Sequence, residues 1–461
     1  MFILTLSVLA LWSPGSEPGT VASVAVGSHY RIECHFEHGA SADQALAVAE
    51  AVWPIAAGLY PDETGIGPSA AAQSPLVVHL YRNARDYNEA ENQLTGGLYR
   101  RNQAFAHRMS RTAHVAIQPA LGDRALDQLG LPEQTLRLIA HEAAHLARFA
   151  RMPNNGLHPA WFVDGNAGFV DQEVMEAIGC SPGLESDPYT SQEILSLQSL
   201  LAEGRLPSVR KVFRNTLQSI SFYERYALRH LFFRYLWEGG FRDELEHIRD
   251  RFGHLVRGPD TPIELARSIH AILAPRGGMD SLDEPFQQYI RGFDPLWEEA
   301  HRSLTLRDGD WLQVGFPDDD ATAWSTRRPA TDTYSLHGAL ELVGGINPQL
   351  NLHFARAAGD FLTITFVAGH APALYRYADA DHSWHSLATG GPIVPIGRPQ
   401  EFELAVEPGQ VRLLIDGQLA LHERCDFDPR GAWGLAAHSA SAGRWSDLRI
   451  RPTAGKAPAG R

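Results

Sequence analysis

Cysteine is scarce: Cys34, Cys180 and Cys425 are the only three in 461 residues, far apart and without a CxxC pair. A cysteine-ligated zinc site or a disulfide framework is therefore not expected. One bridge could form in an exported protein, with one thiol left over. Positive charge is also short. The net charge of -14 argues against holding nucleic acid by neutralising phosphates, because that binding needs a basic face. Beyond the first dozen residues no apolar run is long enough to cross a bilayer. No repeat of fixed period occurs, and low complexity is confined to the Ala/Ser stretch at 68–74. What remains, 44% hydrophobic and 20% charged, is the composition of a soluble globular chain. Roughly 100 to 200 residues per domain suggests about two to four domains.

Residues 2–12 are apolar and are followed by Ser13-Pro14-Gly15-Ser16-Glu17-Pro18-Gly19, which cannot continue a helix. This pattern is that of a secretory signal peptide, expected over 1–22 with cleavage near Ala22, although a basic leading segment is missing. An extracytoplasmic or secreted protein is the resulting expectation, with a buried first strand as the other reading. Between 30 and 118, β-like runs (30–36, 76–81, 114–118) alternate with an Ala-rich helical stretch at 42–60, kinked at Pro54. Helices are expected at 132–150 and 162–178, the first opened by Pro132 and ended by Pro153-Asn154-Asn155-Gly156. Further helices follow at 222–237, 244–252, 262–273 and 283–290. Beyond 311 the pattern turns to short strands with Gly, Asp, Asn and Pro turns, and Asp416-Gly417 is the strongest hairpin signal. Strands at this spacing imply an antiparallel sandwich. The expected fold is thus multidomain α+β: an α+β half over 23–195, a helical half over 196–310, an all-β jelly-roll sandwich over 318–453 and a tail at 454–461.

The chemistry concentrates in His141-Glu142-Ala143-Ala144-His145. Two histidines four apart on a helix lie on one face, so both imidazoles can reach one cation at roughly 2.0 to 2.1 Å. The residue after the first histidine sits beside that cation, where a carboxylate can take a proton from bound water. A catalytic zinc ion wants a third protein ligand and an open position. Eighteen residues separate His145 from Asp164, which stands on the next helix. Glu173 and His158 are the other candidates, and Arg151 stands where a metzincin would carry its third histidine.

In this segment the sequence resembles the gluzincin metallopeptidases, whose second helix begins near Trp-Leu-x-Glu-Gly-x-Ala. Here Trp161-Phe162-Val163-Asp164-Gly165-Asn166-Ala167 stands at the gap used by the aminopeptidase-like branch, with aspartate in place of glutamate. Asp171, seven positions on, matches a further acid of that pattern. Phe222-Tyr223-Glu224-Arg225-Tyr226-Ala227 resembles the family's Tyr-Glu-Lys-Gly-Ala segment. The resemblance implies a zincin-like fold and one zinc ion per chain held by His141, His145 and Asp164. It further implies Glu142 as general base and Tyr223, with Tyr226 as runner-up, as donor to the oxyanion. A core tyrosine is the alternative for Tyr223, and Arg225 and Arg229 are read as facing solvent. The aminopeptidase segment Gly-x-Met-Glu-Asn is absent before the zinc helix, so strict aminopeptidase specificity is disfavoured. The strand at 114–118 is expected to line the cleft, with a free edge for an extended substrate.

Residues 318–453 resemble concanavalin-like or laminin-G-like sandwiches in Val411-Arg412-Leu413-Leu414-Ile415-Asp416-Gly417 and Arg444-Trp445-Ser446-Asp447-Leu448-Arg449-Ile450. Such modules imply a carbohydrate or protein ligand, with Trp324, Tyr375, Tyr377 and Trp384 as a candidate aromatic platform. The primary expectation is an exported zinc peptidase acting on peptide or protein substrates. The rival is a surface protein with an inactive zincin-like half, whose sandwich binds carbohydrate or a partner.

Overall fold

The computed structural model describes residues 20–60, 75–99, 102–118, 123–152, 158–253, 261–298, 304–307, 309–315, 321–345, 348–357, 359–438 and 441–452. The apolar leader at 2–12, the stretch 68–74, the helix-ending Pro153 to Gly156 and the tail at 454–461 lie outside the described residues.

The amino-terminal unit is built on a five-stranded mixed sheet from β1 (Ser23–Val26), β2 (Tyr30–Cys34), β3 (Leu76–Tyr81), β4 (Ala104–His107) and β5 (Thr112–Ala116), in the order β1-β2-β3-β5-β4. β2, β3 and β5 run parallel, whereas β1 and β4 are antiparallel edges. Alternation sorts the side chains. Ile32, Cys34, Val78, Leu80, Ala113 and Val115 face the core, where they join helix α1 (Gly39–Leu59). Glu33, His79, His114 and Phe105 share one rung of the opposite face, under α2 (Ala84–Thr95). The strand expected to offer a free edge, now β5, is therefore interior. The four-residue β4 takes that place.

After α3 (Asp123–Leu129) come the two helices that carry the expected chemistry, α4 (Glu133–Arg151) and α5 (Ala160–Ala177). α4 starts with Glu133 and ends with Arg148 and Arg151, charges that complement the helix dipole. The helical half continues as α6 (Pro188–Ala202), α7 (Val209–Phe213), α8 (Phe222–Glu238), α9 (Arg242–Gly253), α10 (Thr261–Leu273) and α11 (Asp283–Arg291). Trp161, Phe213, Phe232 and Phe286 meet edge-on at its centre.

The carboxy-terminal unit is a sandwich of two seven-stranded antiparallel sheets. Its strands are β6 (Trp297–Glu298), β7 (Leu304–Arg307), β8 (Asp310–Val314), β9 (Ala321–Ser325), β10 (Tyr334–Gly344), β11 (Gln349–Ala357), β12 (Asp360–Val367), β13 (Ala373–Ala378), β14 (Ser383–Thr389), β15 (Gln400–Glu407), β16 (Gln410–Ile415), β17 (Gln418–Arg424), β18 (Ala432–Ala437) and β19 (Ala442–Pro452). One sheet has the order β17-β16-β15-β10-β19-β8-β7, the other β14-β13-β12-β11-β18-β9-β6. The sandwich thus begins at Trp297, inside the segment expected to close the helical half. Asp416 and Gly417 turn β16 into β17 with φ of 48° and 74°, the positive angles a tight hairpin needs. Trp445 is fully buried between the sheets and its indole donates to Gln313 at 3.0 Å. The units share apolar contacts, since Leu312, Val314, Val343 and Ala442 join the amino-terminal core. Arg307 also donates to the Leu131 carbonyl at 2.9 Å. Cys34, Cys180 and Cys425 are all free, so the conceivable single bridge is not made. Among the described residues no helix is long and apolar enough to cross a membrane.

Candidate functional site

His141 and His145 lie one turn apart on α4, their ring centroids 4.9 Å apart and edge-on. Asp171 on α5 meets Nδ1 of His141 at 3.1 Å, which leaves Nε2 free and fixes the ring, the role an outer carboxylate plays beside a histidine ligand. Burial opposes charge on His141, but the Asp171 hydrogen bond and the charges of Glu142, Asp171 and Asp164 prevail and raise its pKa to about 9. His145 moves the other way. Burial, with the charges of His141 and Arg148, holds it well below the ordinary imidazole value.

Glu142 faces a cleft of about 280 Å³ between α4, the start of α8 and the segment leading into β4. Burial, aided by the charge of Asp164, raises its carboxyl to about 7, against the opposing pull of His141 and the backbone N–H of Ala106 on β4. Tyr223 and Tyr226 both line the cleft. They sit in the first turns of α8, which a Ser221/Glu224 capping box anchors. The ring of Tyr226 lies 6.2 Å from that of His141.

Beneath the cleft, Arg137 is buried among acids. Its Nε donates to Glu133 at 2.6 Å and its Nη1 to Gln172 at 2.9 Å, while it also pairs with Asp171 and Asp187. Asp171 therefore links this network to His141.

Asp164 is placed differently from the expectation. Arg229 on α8 donates to its Oδ2 at 2.6 Å, and both side chains are largely buried. The pairing follows from a close helix crossing. A Cβ at Gly165 would stand 2.4 Å from the Arg229 carbonyl, and one at Gly168 would press on His230 at 3.1 Å; only glycine lets α5 and α8 approach this far. Arg229, read from sequence as facing solvent, is thus a site residue, and the glycines beside Asp164 were the signal that a helix packs there. The other candidate third ligands are engaged elsewhere: Glu173 pairs with Arg234 at 3.0 Å, and His158 donates to the Arg249 carbonyl at 3.2 Å.

Two imidazoles and a carboxylate are donor types that zinc accepts. As arranged, however, the carboxylate is spent on a guanidinium, and among the described residues no three His, Cys, Asp or Glu side chains are placed to hold a metal ion. The residues do not fit a three-ligand zinc ion in this arrangement, so the expected set of His141, His145 and Asp164 is not assembled.

A second candidate lies on the outer face of the sandwich. Phe361 pairs with Tyr377 across β12 and β13, and Tyr377 with Trp384 across β13 and β14. The Phe361 and Tyr377 rings stack at 5.0 Å, and Trp384 meets Tyr377 at 5.1 Å. On the next rung, Tyr375 opposes Thr363, which opposes His353. His353 stacks on Trp324 at 5.2 Å, and Arg356 lies over the same indole at 4.6 Å. Of the expected platform, Trp384 is 48% exposed, whereas Trp324 is 4% exposed and belongs to the packing. Phe361 and His353 complete the row and were not anticipated from sequence.

No family model and no curated protein matches this chain. Solved structures resemble its carboxy-terminal sandwich. A carbohydrate-binding module, CBM66, from Bacillus subtilis is 10% identical with a TM-score of 0.30, covering 34% of this chain and 95% of the module. Sheep galectin-11 in complex with glycerol is 15% identical with a TM-score of 0.23, over 32% of this chain and 99% of the galectin. The crystal structure of a putative glycosyl hydrolase from Parabacteroides distasonis is 11% identical with a TM-score of 0.25, over 34% and 94%.

Proposed function

We propose that this chain is an extracytoplasmic recognition protein whose sandwich binds carbohydrate, carried on a zincin-like unit that does not hold a metal ion in its present arrangement. The observation that carries the reading is the aromatic row Trp384, Tyr377 and Phe361, half-exposed at its outer end. Aromatic faces present flat apolar area to the C–H face of a sugar ring, while polar groups at the rim orient its hydroxyls. Asp379, Asp381, His382 and His385 supply that rim and are exposed. Affinity electrophoresis through gels containing soluble polysaccharides tests it. Retardation of the wild type that is lost in Trp384→Ala is expected; a wild type that no polysaccharide retards would overturn the reading.

A second reading, a hydrolase acting on amide bonds, has its own support in Glu142. A buried carboxyl with a pKa near 7, inside a cleft and beside a histidine fixed by Asp171, is poised for proton transfer at neutral pH. In this reading Glu142 takes the proton of an attacking water and later returns it to the leaving nitrogen. The phenol of Tyr223 or Tyr226 donates to the oxyanion, and β4 aligns an extended substrate along its open edge. Glu142→Gln keeps the shape of the side chain and removes its basicity. Wild-type cleavage of a broad peptide library that vanishes in this variant is expected; equal behaviour of the two proteins leaves recognition as the function.

A further inference from the structure

We infer that the sandwich carries a second ligand site, on the outer face of the sheet that contains β10, β15 and β19, and that this site takes a uronic acid unit of an acidic polysaccharide. The face is turned away from the aromatic row. The site goes beyond the recognition reading and does not rest on that row.

Strand alternation and register build the site. Leu336, Leu404 and Leu413 turn into the core, so the residues next to them turn outward. One rung of this face runs Arg451, Ser335, Ala405, Arg412 across β19, β10, β15 and β16, and the next runs Arg449, His337, Glu403, Leu414. A third step sets Ala339 opposite Glu401, where β19 slips register and Asp447 takes a φ of 51°. A groove of about 340 Å³ lies over these positions, bordered by His337, Glu401, Glu403, Asp447, Arg449 and Arg451. Its floor is small, because Gly338 and Ala339 occupy it. The strands close so tightly there that a Cβ at Gly338 would stand 2.9 Å from both the Ser446 carbonyl and Leu448. Ser335 meets Nε2 of His337 at 2.8 Å and steadies that ring.

Charge is sorted along the groove. Arg451, Arg449 and His337 stand at one end, Glu401 and Asp447 at the other, and the four at the extremes, Arg451, Arg449, Glu401 and Asp447, are exposed. Guanidinium groups offer paired N–H donors that match a carboxylate, whereas carboxylates accept from hydroxyls. A ligand suited to both ends carries one carboxylate and several hydroxyls within a few ångströms, which is the chemistry of a uronic acid. A protein partner fits less well, since an interface core needs apolar anchors. Of the large apolar side chains in the lining, Phe402 is buried and Leu414 only partly open. The chain's net charge of -14 repels a polyanion at long range, so retention of one has to come from local contacts such as these.

The test is affinity electrophoresis of the full chain through gels containing polygalacturonate, alginate or hyaluronate, with carboxyl-reduced polygalacturonate as the neutral comparison. Wild type, Arg449→Gln/Arg451→Gln, Trp384→Ala and Arg210→Gln/Arg291→Gln are run, each against a gel without polysaccharide. The last variant removes the same charge from exposed positions of the helical half. Wild type is expected to be retarded by at least one uronate polymer and not by the carboxyl-reduced one. Arg449→Gln/Arg451→Gln should weaken that binding about tenfold or more, while Arg210→Gln/Arg291→Gln and Trp384→Ala bind as wild type does. Thermal melts report folding; if the Arg449→Gln/Arg451→Gln protein melts early, Arg451→Gln alone carries the comparison. A wild type that no uronate polymer retards overturns the inference, as does an arginine variant that binds like wild type. Equal retardation by the carboxyl-reduced polymer, or an equal loss in Arg210→Gln/Arg291→Gln, overturns it too, since hydroxyls or overall charge would then suffice. Uronate binding lost in Trp384→Ala and kept in Arg449→Gln/Arg451→Gln sinks the groove while the recognition reading stands. Uronate binding lost only in Arg449→Gln/Arg451→Gln, with every neutral polysaccharide ignored, upholds the groove and removes the aromatic row as a ligand site.

Discussion

The cleft of the amino-terminal unit and the outer face of the sandwich place their polar atoms in opposite ways. Around the cleft, charged groups are buried and paired: Arg137 with Glu133, Asp171 and Asp187, Asp164 with Arg229, His141 with Asp171. Along the aromatic row the charges are at the rim and in solvent, and the middle is filled by rings. The difference teaches where each region can afford change. Buried charge is tolerable only while every partner stays, so the chemistry of the cleft is coupled to its stability. A half-exposed ring carries little of the fold, so the sandwich face can be altered, or occupied, without unfolding anything.

The strongest way to break that contrast is to remove Arg137. Arg137→Met leaves Glu133, Asp171 and Asp187 buried without their common cation, and a loss of about 3–5 kcal/mol is expected. Urea unfolding followed by far-UV circular dichroism should show the helical transition moving to lower denaturant while the β-sheet transition stays. A helical transition at its wild-type midpoint would mean the network is not holding α4 and α5 together.

Much of this was legible in the sequence, and the gaps have physical causes. The helix over 132–150 and the sandwich core strands were readable because long periodic runs bury one face. β4 escaped notice since Ala104 to His107 is too short to show a period, and the edge strand β14 and its neighbour β13 because strands with both faces partly wet do not alternate apolar with polar. The histidine pair was legible because its spacing is local to one helix. The Arg229–Asp164 pair was not: 65 residues separate the partners, and an arginine on an amphipathic helix looks the same whether it meets water or an acid. Trp324 and Trp384 were equal candidates in sequence, and only the strand order, which seats one on β9 between β18 and β6 and the other on the edge strand β14, tells them apart.

Acid sharpens the comparison next. His79 and His114 stack at 4.7 Å under α2, and their pKa values are lowered to about 4 and about 3, by burial first, with the neighbouring imidazole of His35 adding to it. An unfolded imidazole titrates near 6.5. The unfolded chain therefore binds more protons below that pH, and the stabilisation these residues give is complete above about 6.5 and lost as pH falls toward 4 and below. The loss is on the order of 3 kcal/mol for His79 alone. The acid midpoint of the amino-terminal unit should shift downward in His79→Gln/His114→Gln, and an unchanged midpoint would place the acid sensitivity elsewhere.

The smallest effect is the most discriminating. Within the one aromatic row, Trp324 lies between His353 and Arg356 and is 4% exposed, whereas Trp384 is 48% exposed at the edge. Trp324→Ala should cost about 3–5 kcal/mol, as truncation of a buried indole does. Trp384→Ala should change stability by no more than about 0.5 kcal/mol, the range of surface substitutions, while polysaccharide affinity drops about tenfold or more, which corresponds to about 1.4 kcal/mol. A ring kept for packing would show the reverse, with a lowered melting temperature and unaltered retardation in the gel. Measuring melting temperature and retardation on the same two variants therefore separates a tryptophan that holds the sheet from one that meets a ligand.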